Sequence, residues 1–190
     1  MVTASIPDKA SDYELVKLAI NGSQYAFTEI VRRHKTKIAS TIHGMIGQCD
    51  QVDDIGQEVF IRFYRKMTNF RGESALGTYL TRIAINLSLN ELKRRKRRNI
   101  FSFNQLVEEG LDIADPSSFE APDDNINIVR MAVQKLDPKH RSVIVLRLID
   151  GYSTEETSKI LNIPIGTALS RLARAQKKLK ELIKPYIYEL

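Results

Sequence analysis

The chain has 190 residues, a net charge of +6 and 43% hydrophobic residues, enough apolar side chains for one large core or two small ones. No run is apolar over the length of a membrane span and the N-terminus has no apolar signal core, so the protein is expected in the cytoplasm, without membrane insertion. Cys49 is the single cysteine, and His34, His43 and His140 are scattered, so a disulfide within the chain is excluded and no metal site or cofactor is expected.

Ser11 with Glu14 forms a capping-box pattern that opens a first helix through Leu15, Leu18 and Ala19, and Asn21-Gly22 ends it. Ser23 caps a second helix with the apolar line Phe27, Ile30, Val31, Ile38, Ile42 and Met45. A third carries Val52, Ile55, Val59 and Phe63 on one face. Opposite them lie Asp53, Asp54, Gln57, Glu58 and Ile61, an acidic and amide surface that suits a basic protein partner or, more plainly, a solubilising face with a Glu58–Arg62 pair. A fourth buries Leu76, Leu80, Ile83, Ala84 and Leu87. Its polar stripe is Thr78, Arg82, Asn86, Asn90, Lys93 and Arg97, and it ends in six consecutive basic residues, Lys93 to Arg98, a run that calls for a polyanion nearby. The loop before it, Met67 to Ser74, offers Asn69, Phe70 and Arg71, types able to hold an unstacked base, although Phe70 is better read as a core plug.

Charge divides the chain. Asp12 to Arg98 has 16 basic and 9 acidic residues; Asn99 to Asn125 has seven acidic residues and no basic one; Ile126 to Leu190 has 12 basic and 6 acidic. The middle strip, with Gly110, Pro116 and Pro122, reads as an acidic linker containing at most a short helical turn. Beyond it, helices are predicted over Ile126 to Leu136, from Asp137-Pro138 to Gly151, and from Ser153, a second capping box with Glu156, to Leu161. After the turn at Asn162-Ile163-Pro164, a final helix runs to about Lys184. This is a helix-turn-helix pattern. Its core seam is Ile165, Ala168, Leu172, Ala175, Leu179 and Leu182. Thr167, Ser170, Arg171, Arg174 and Lys178 form the face that would meet DNA, or an ordinary amphipathic surface. The fold class is all-α: two small helical domains, 1–98 and 126–190, joined by the linker 99–125.

Three strings in order carry a family resemblance. Asp53 to Arg62 resembles the polymerase-binding helix of bacterial sigma factors. Phe70 to Ser74 followed by Thr78 to Asn86 resembles the −10-reading and melting region of the extracytoplasmic-function (ECF) group. Leu136 to Arg147 followed by Gly166 to Ala175 resembles that group's −35-reading domain. The resemblance implies a sigma factor, not an enzyme. It would bind core RNA polymerase, touching its two largest subunits, through Asp53, Asp54, Gln57, Glu58 and Ile61. It would read melted −10 promoter DNA through Asn69, Arg71, Arg82, Asn86, Asn90 and Lys93, and duplex −35 DNA through Thr167, Ser170, Arg171, Arg174 and Lys178. An anti-sigma protein is the implied inhibitor. Gly56, Tyr79, Thr157, Ser158 and Leu169 depart from the group's usual residues. The rival is a two-domain helix-turn-helix regulator that acts without polymerase; it leaves the N-terminal half unexplained, because that half shows neither a phosphate-binding glycine loop nor an α/β pattern.

Overall fold

The computed structural model describes residues 10–108 and 125–187, with side chains over 10–99 and 126–186. Eight α-helices are present and no strand occurs among the described residues. In the N-terminal half, α1 (Asp12–Ile20), α2 (Gln24–Ile46), α3 (Gln51–Lys66) and α4 (Leu76–Glu108) pack around α2. The predicted start signals are in place. Ser11 Oγ accepts from the Glu14 amide at 3.3 Å while the Glu14 carboxylate accepts from the Ser11 amide at 2.7 Å, and Ser23 caps α2. Arg33 fastens the two helices by donating to the Ala10 carbonyl at 2.7 Å and to Glu29 at 2.8 Å. Hydrogen bonds from Arg32 and Arg33 hold the Glu29 carboxyl down at about 2.

Leu15, Ile30, Ile38, Ile42, Met45, Val59, Phe63 and Leu80 are buried, as their spacing predicts. An aromatic cluster closes one end: Phe63, Phe70 and Tyr79 meet edge to face with centroids 5.4–6.2 Å apart. Phe70 is therefore the plug expected of it, and Tyr79 fills the position where the resemblance leads one to expect tryptophan. Helix α3 runs unbroken through Gly56, where an added Cβ would lie 4.0 Å from Ile42, so this glycine leaves room rather than a break.

The fourth helix corrects one boundary. It continues without interruption from Leu76 to Glu108, so residues 99–108, assigned above to the linker, extend the helix by more than two turns. They contain no Gly or Pro, and the breakers Gly110, Pro116 and Pro122 all come later. The rest of the expected linker, 109–124, lies outside the described residues.

In the C-terminal half, α5 (Asn125–Lys135), α6 (Pro138–Ile144), α7 (Thr154–Leu161) and α8 (Ile165–Ile187) form the helix-turn-helix unit. Asp137 caps α6 with Pro138 in its first turn. The chain then widens into a five-residue π-turn, Val145–Ile149, where the sequence predicts ordinary helix. Asn162 adopts the left-handed conformation at φ 52° and ends α7.

The two halves are packed on each other, α5 and the π-turn against α2 and α7 against α4. A Cβ on Gly44 would come within 3.1 Å of Val145, so a side chain at position 44 would push the halves apart. The last carbonyls of α2 are capped by three side chains. Gln134 donates to Gly44 at 2.8 Å, Arg141 to Met45 at 2.6 Å and Arg95 to Ile46 at 2.9 Å. Two of these donors come from the other half. Arg141 also donates to Gln134 and to the Leu136 carbonyl, and burial lowers its guanidinium to about 10, still charged at neutral pH.

Candidate nucleic-acid and polymerase interface

Three surfaces of different chemistry lie on three helices. On α3, Asp53, Asp54, Gln57 and Ile61 are exposed and Glu58 is half-buried, all on the side away from Val59 and Phe63. Glu58 accepts from Arg62 at 2.7 Å, the pair expected at that spacing, and a pair this exposed contributes little to stability. Val59 and Phe63 sink into the core, which fixes the acidic face outward.

On α4, Arg82, Asn86, Asn90, Lys93 and Arg97 are exposed along one line, with Thr78 half-buried at its head. Asn69 and Arg71 are exposed in the connection before it. Beside them lies a cleft of about 450 Å³ lined by Asp12, Tyr13, Phe70, Arg71, Ser74 and Leu76. The sequence reading missed Tyr13. Its ring lies 3.0 Å from where a Gly72 Cβ would stand, and Gly72 has φ 72°, so glycine is needed there twice over, for backbone and for space. Nothing in the local pattern around Tyr13 signals this, because the contact spans almost sixty residues.

The basic run of α4 does not act as one block. Glu91 is buried, and it accepts from Arg94 at 2.7 Å and from Arg95 at 3.0 Å. Burial works against its charge, yet those two bonds win and hold its carboxyl below the usual range. Arg95 also donates to the Ile46 carbonyl, Cys49 Sγ and Gln51 Oε1. Arg95 is therefore a tie between α4 and the α2–α3 connection, which corrects the reading of all six charges as needing a polyanion. Lys93, Lys96 and Arg97 remain exposed.

On α8, Ser170 and Arg174 are exposed, whereas Thr167 and Arg171 are half-buried at the margin of the polar face. Lys178 is exposed and lies 3.6 Å from Asp137. Ala168 and Ala175 are buried, as the predicted seam requires, but Ile165 is not: it is 47% exposed and Leu169 is 52% exposed. Thr157 is fully buried in α7 with its hydroxyl unpaired, while Ser158 donates to the Glu155 carbonyl at 2.8 Å. The polar substitutions in α7 are thus tolerated at one position by a local bond and at the other at the cost of an unsatisfied hydroxyl.

Residues 30–98 match the family model for sigma-70 region 2, and residues 126–179 match that for sigma-70 region 4. The chain belongs to the sigma-70 family. The ECF RNA polymerase sigma-E factor of Escherichia coli K12 is 33% identical over 188 residues, covering 95% of this chain and 98% of that protein. The RNA polymerase sigma-H factor of Pseudomonas aeruginosa is 32% identical over 186 residues, covering 94% and 96%. This sigma factor is of the ECF group. Two solved structures share its all-helical fold. The sigma factor RpoE of Bartonella quintana, in complex with the anti-sigma factor NepR, aligns with a TM-score of 0.65 at 23% identity, covering 83% of this chain and 96% of that one. CnrH, in complex with the cytosolic domain of CnrY, aligns with a TM-score of 0.67 at 24% identity, covering 93% and 99%. The region 2 match accounts for the half of the chain that the rival regulator reading leaves unexplained. None of the described helices is long and apolar enough to cross a membrane.

Proposed function

We propose that this sigma factor docks on core RNA polymerase through the acidic face of α3 and reads promoter DNA through α4 and α8, in the cytoplasm. Asp53, Asp54, Gln57, Glu58 and Ile61 contact the largest subunit, and the C-terminal half sits on the second-largest. Asn69, Arg71, Arg82, Asn86, Asn90 and Lys93 hold the melted −10 strand. An unstacked base enters the cleft walled by Tyr13 and Phe70, where rings and a guanidinium can stack on it. Thr167, Ser170, Arg171, Arg174 and Lys178 meet the duplex −35 element, and an anti-sigma protein restrains the free chain. The observation that carries the reading is the separation of chemistries: an acidic face on α3 and basic, amide-bearing faces on α4 and α8, presented by helices whose other sides are buried.

The test is co-purification with core polymerase, followed by run-off transcription on genomic promoter fragments. Asp54→Lys with Glu58→Lys is expected to abolish holoenzyme formation and leave helical content unchanged. Normal recovery of the double variant with core polymerase would remove the α3 face from the interface.

A further inference from the structure

We propose that Leu169, with Ile165 one turn before it, reads thymine methyl groups in the upstream promoter element. The inference rests on the reading of α8 as the duplex-binding helix and adds the base it selects. Both residues are of core type, and both lie about half in solvent on a helix whose neighbouring Ala168 and Ala175 are fully packed. At about 100° per residue, positions 165 and 169 share one flank of the helix, and the basic residues occupy the other flank. Between the flanks stand small residues. Gly166 has nothing within 4 Å of an added Cβ, and Ser170 folds its hydroxyl back onto the Thr167 carbonyl at 3.1 Å. The centre of this face is therefore low, and the first turns of α8 can approach a groove floor closely.

In a helix-turn-helix unit, the N-terminal residues of the second helix are those that reach base edges. Leucine has no donor or acceptor, so it can neither hold a phosphate nor read guanine. The apolar feature that the major groove offers is the C5-methyl of thymine. Arg174 on the same helix is exposed and brings the opposite charge to the phosphates alongside. An apolar flank next to a cationic one fits duplex DNA better than it fits a purely apolar partner.

The experiment uses holoenzyme assembled from the full chain and core polymerase. Duplex promoter fragments randomised across the upstream element are selected by binding, and each selected thymine is then replaced by uracil, which removes only the methyl. Wild type is expected to enrich thymine at one or two positions and to lose about three- to fivefold in affinity on uracil replacement there. Leu169→Ala is expected to lose less than wild type on uracil replacement at the position Leu169 reads, and Leu169→Arg to move the preference there toward guanine. Selection of a sequence whose thymines can all be replaced without loss overturns the inference and leaves the reading of α8 standing. So does an equal loss in wild type and Leu169→Ala. If wild type selects no upstream sequence at all, the reading of α8 as the duplex-binding helix fails with it.

Discussion

Six consecutive basic residues, Lys93 to Arg98, lie on α4, and Arg171, Arg174 and Lys177 lie on α8. In α4 a buried acid, Glu91, stands two residues before the run and draws in Arg94 and Arg95, and Arg95 then reaches the end of α2 and the start of α3. In α8 no ion pair to Arg171, Arg174 or Lys177 occurs among the described residues. A count of charges puts the longer run first as a polyanion site. Geometry assigns Arg95 of that run to holding helices together and pairs Arg94 within α4, whereas Arg171, Arg174 and Lys177 on α8 carry no such commitment among the described residues.

This contrast can be broken by swapping stability for affinity as the readout. Arg95→Ala leaves Glu91 with fewer partners and the Ile46 carbonyl without its donor. It is expected to cost about 2–3 kcal/mol in urea unfolding. Arg174→Ala is expected to change unfolding by less than about 0.5 kcal/mol but to weaken duplex promoter binding by holoenzyme, and more so at low salt than at high salt, as loss of a phosphate contact does. Comparable unfolding costs for the two variants would erase the distinction.

A finer version measures salt dependence. Replacing Lys96 and Arg97 together by Gln is expected to reduce the slope of log affinity against log salt by about 0.7–0.9 per charge, the signature of lost phosphate contacts. Arg95→Gln is expected to leave that slope unchanged on the fraction that remains folded. A slope change for Arg95→Gln would return it to the DNA-facing set.

The smallest effect concerns the seam between the halves. Burial pushes the Asp150 carboxyl above its ordinary range, opposed by the Thr41 hydroxyl at 2.8 Å and by the charge of Lys37. Lys37 itself donates to the Asp150 carbonyl at 3.3 Å and lies 4.4 Å from the Tyr152 ring centre. An acid raised on folding favours the packed form when protonated and opposes it once ionised. The packed form should therefore lose stability as pH rises from about 4, the ordinary aspartate value, through the raised one. Asp150→Asn is expected to match wild type near pH 4 and to be the more stable protein near pH 7. A stability difference that does not change with pH would show that Asp150 ionises as freely in the packed form as in the unfolded chain.

The contrast also marks what sequence alone can reveal. Both capping boxes, the Asp137–Pro138 helix start, the Glu58–Arg62 pair and the buried faces of α2 and α3 were legible, because each depends on residues a few positions apart. The length of α4 was not legible, because the change in charge at residue 99 is no helix stop, and the first Gly or Pro comes at Gly110. Ile165 was placed in the core because its spacing fits the seam, yet it lies in the first turn of α8, where little is left to cover it. Arg141 was passed over entirely. One of its partners, the Met45 carbonyl, lies on another helix almost a hundred residues away, and no local pattern encodes a guanidinium capping a distant helix end.

That cap bears on reach. The −35 and −10 elements are named for positions roughly 25 base pairs apart, about 85 Å of duplex at 3.4 Å per pair. A compact chain of this length has a radius of gyration of only about 16 Å. With α7 packed on α4, the proposed reading helices are too near each other to straddle that span, so the packed form is a folded ruler that must open before it can measure a promoter. Opening strips Gln134 from the Gly44 carbonyl, Arg141 from the Met45 carbonyl and Tyr152 from the Thr81 hydroxyl. Water can take the place of each of these partners. Opening also bares Val145, which is fully buried and packs against Gly44, so the joint between the proposed readers carries an apolar cost beside this polar exchange.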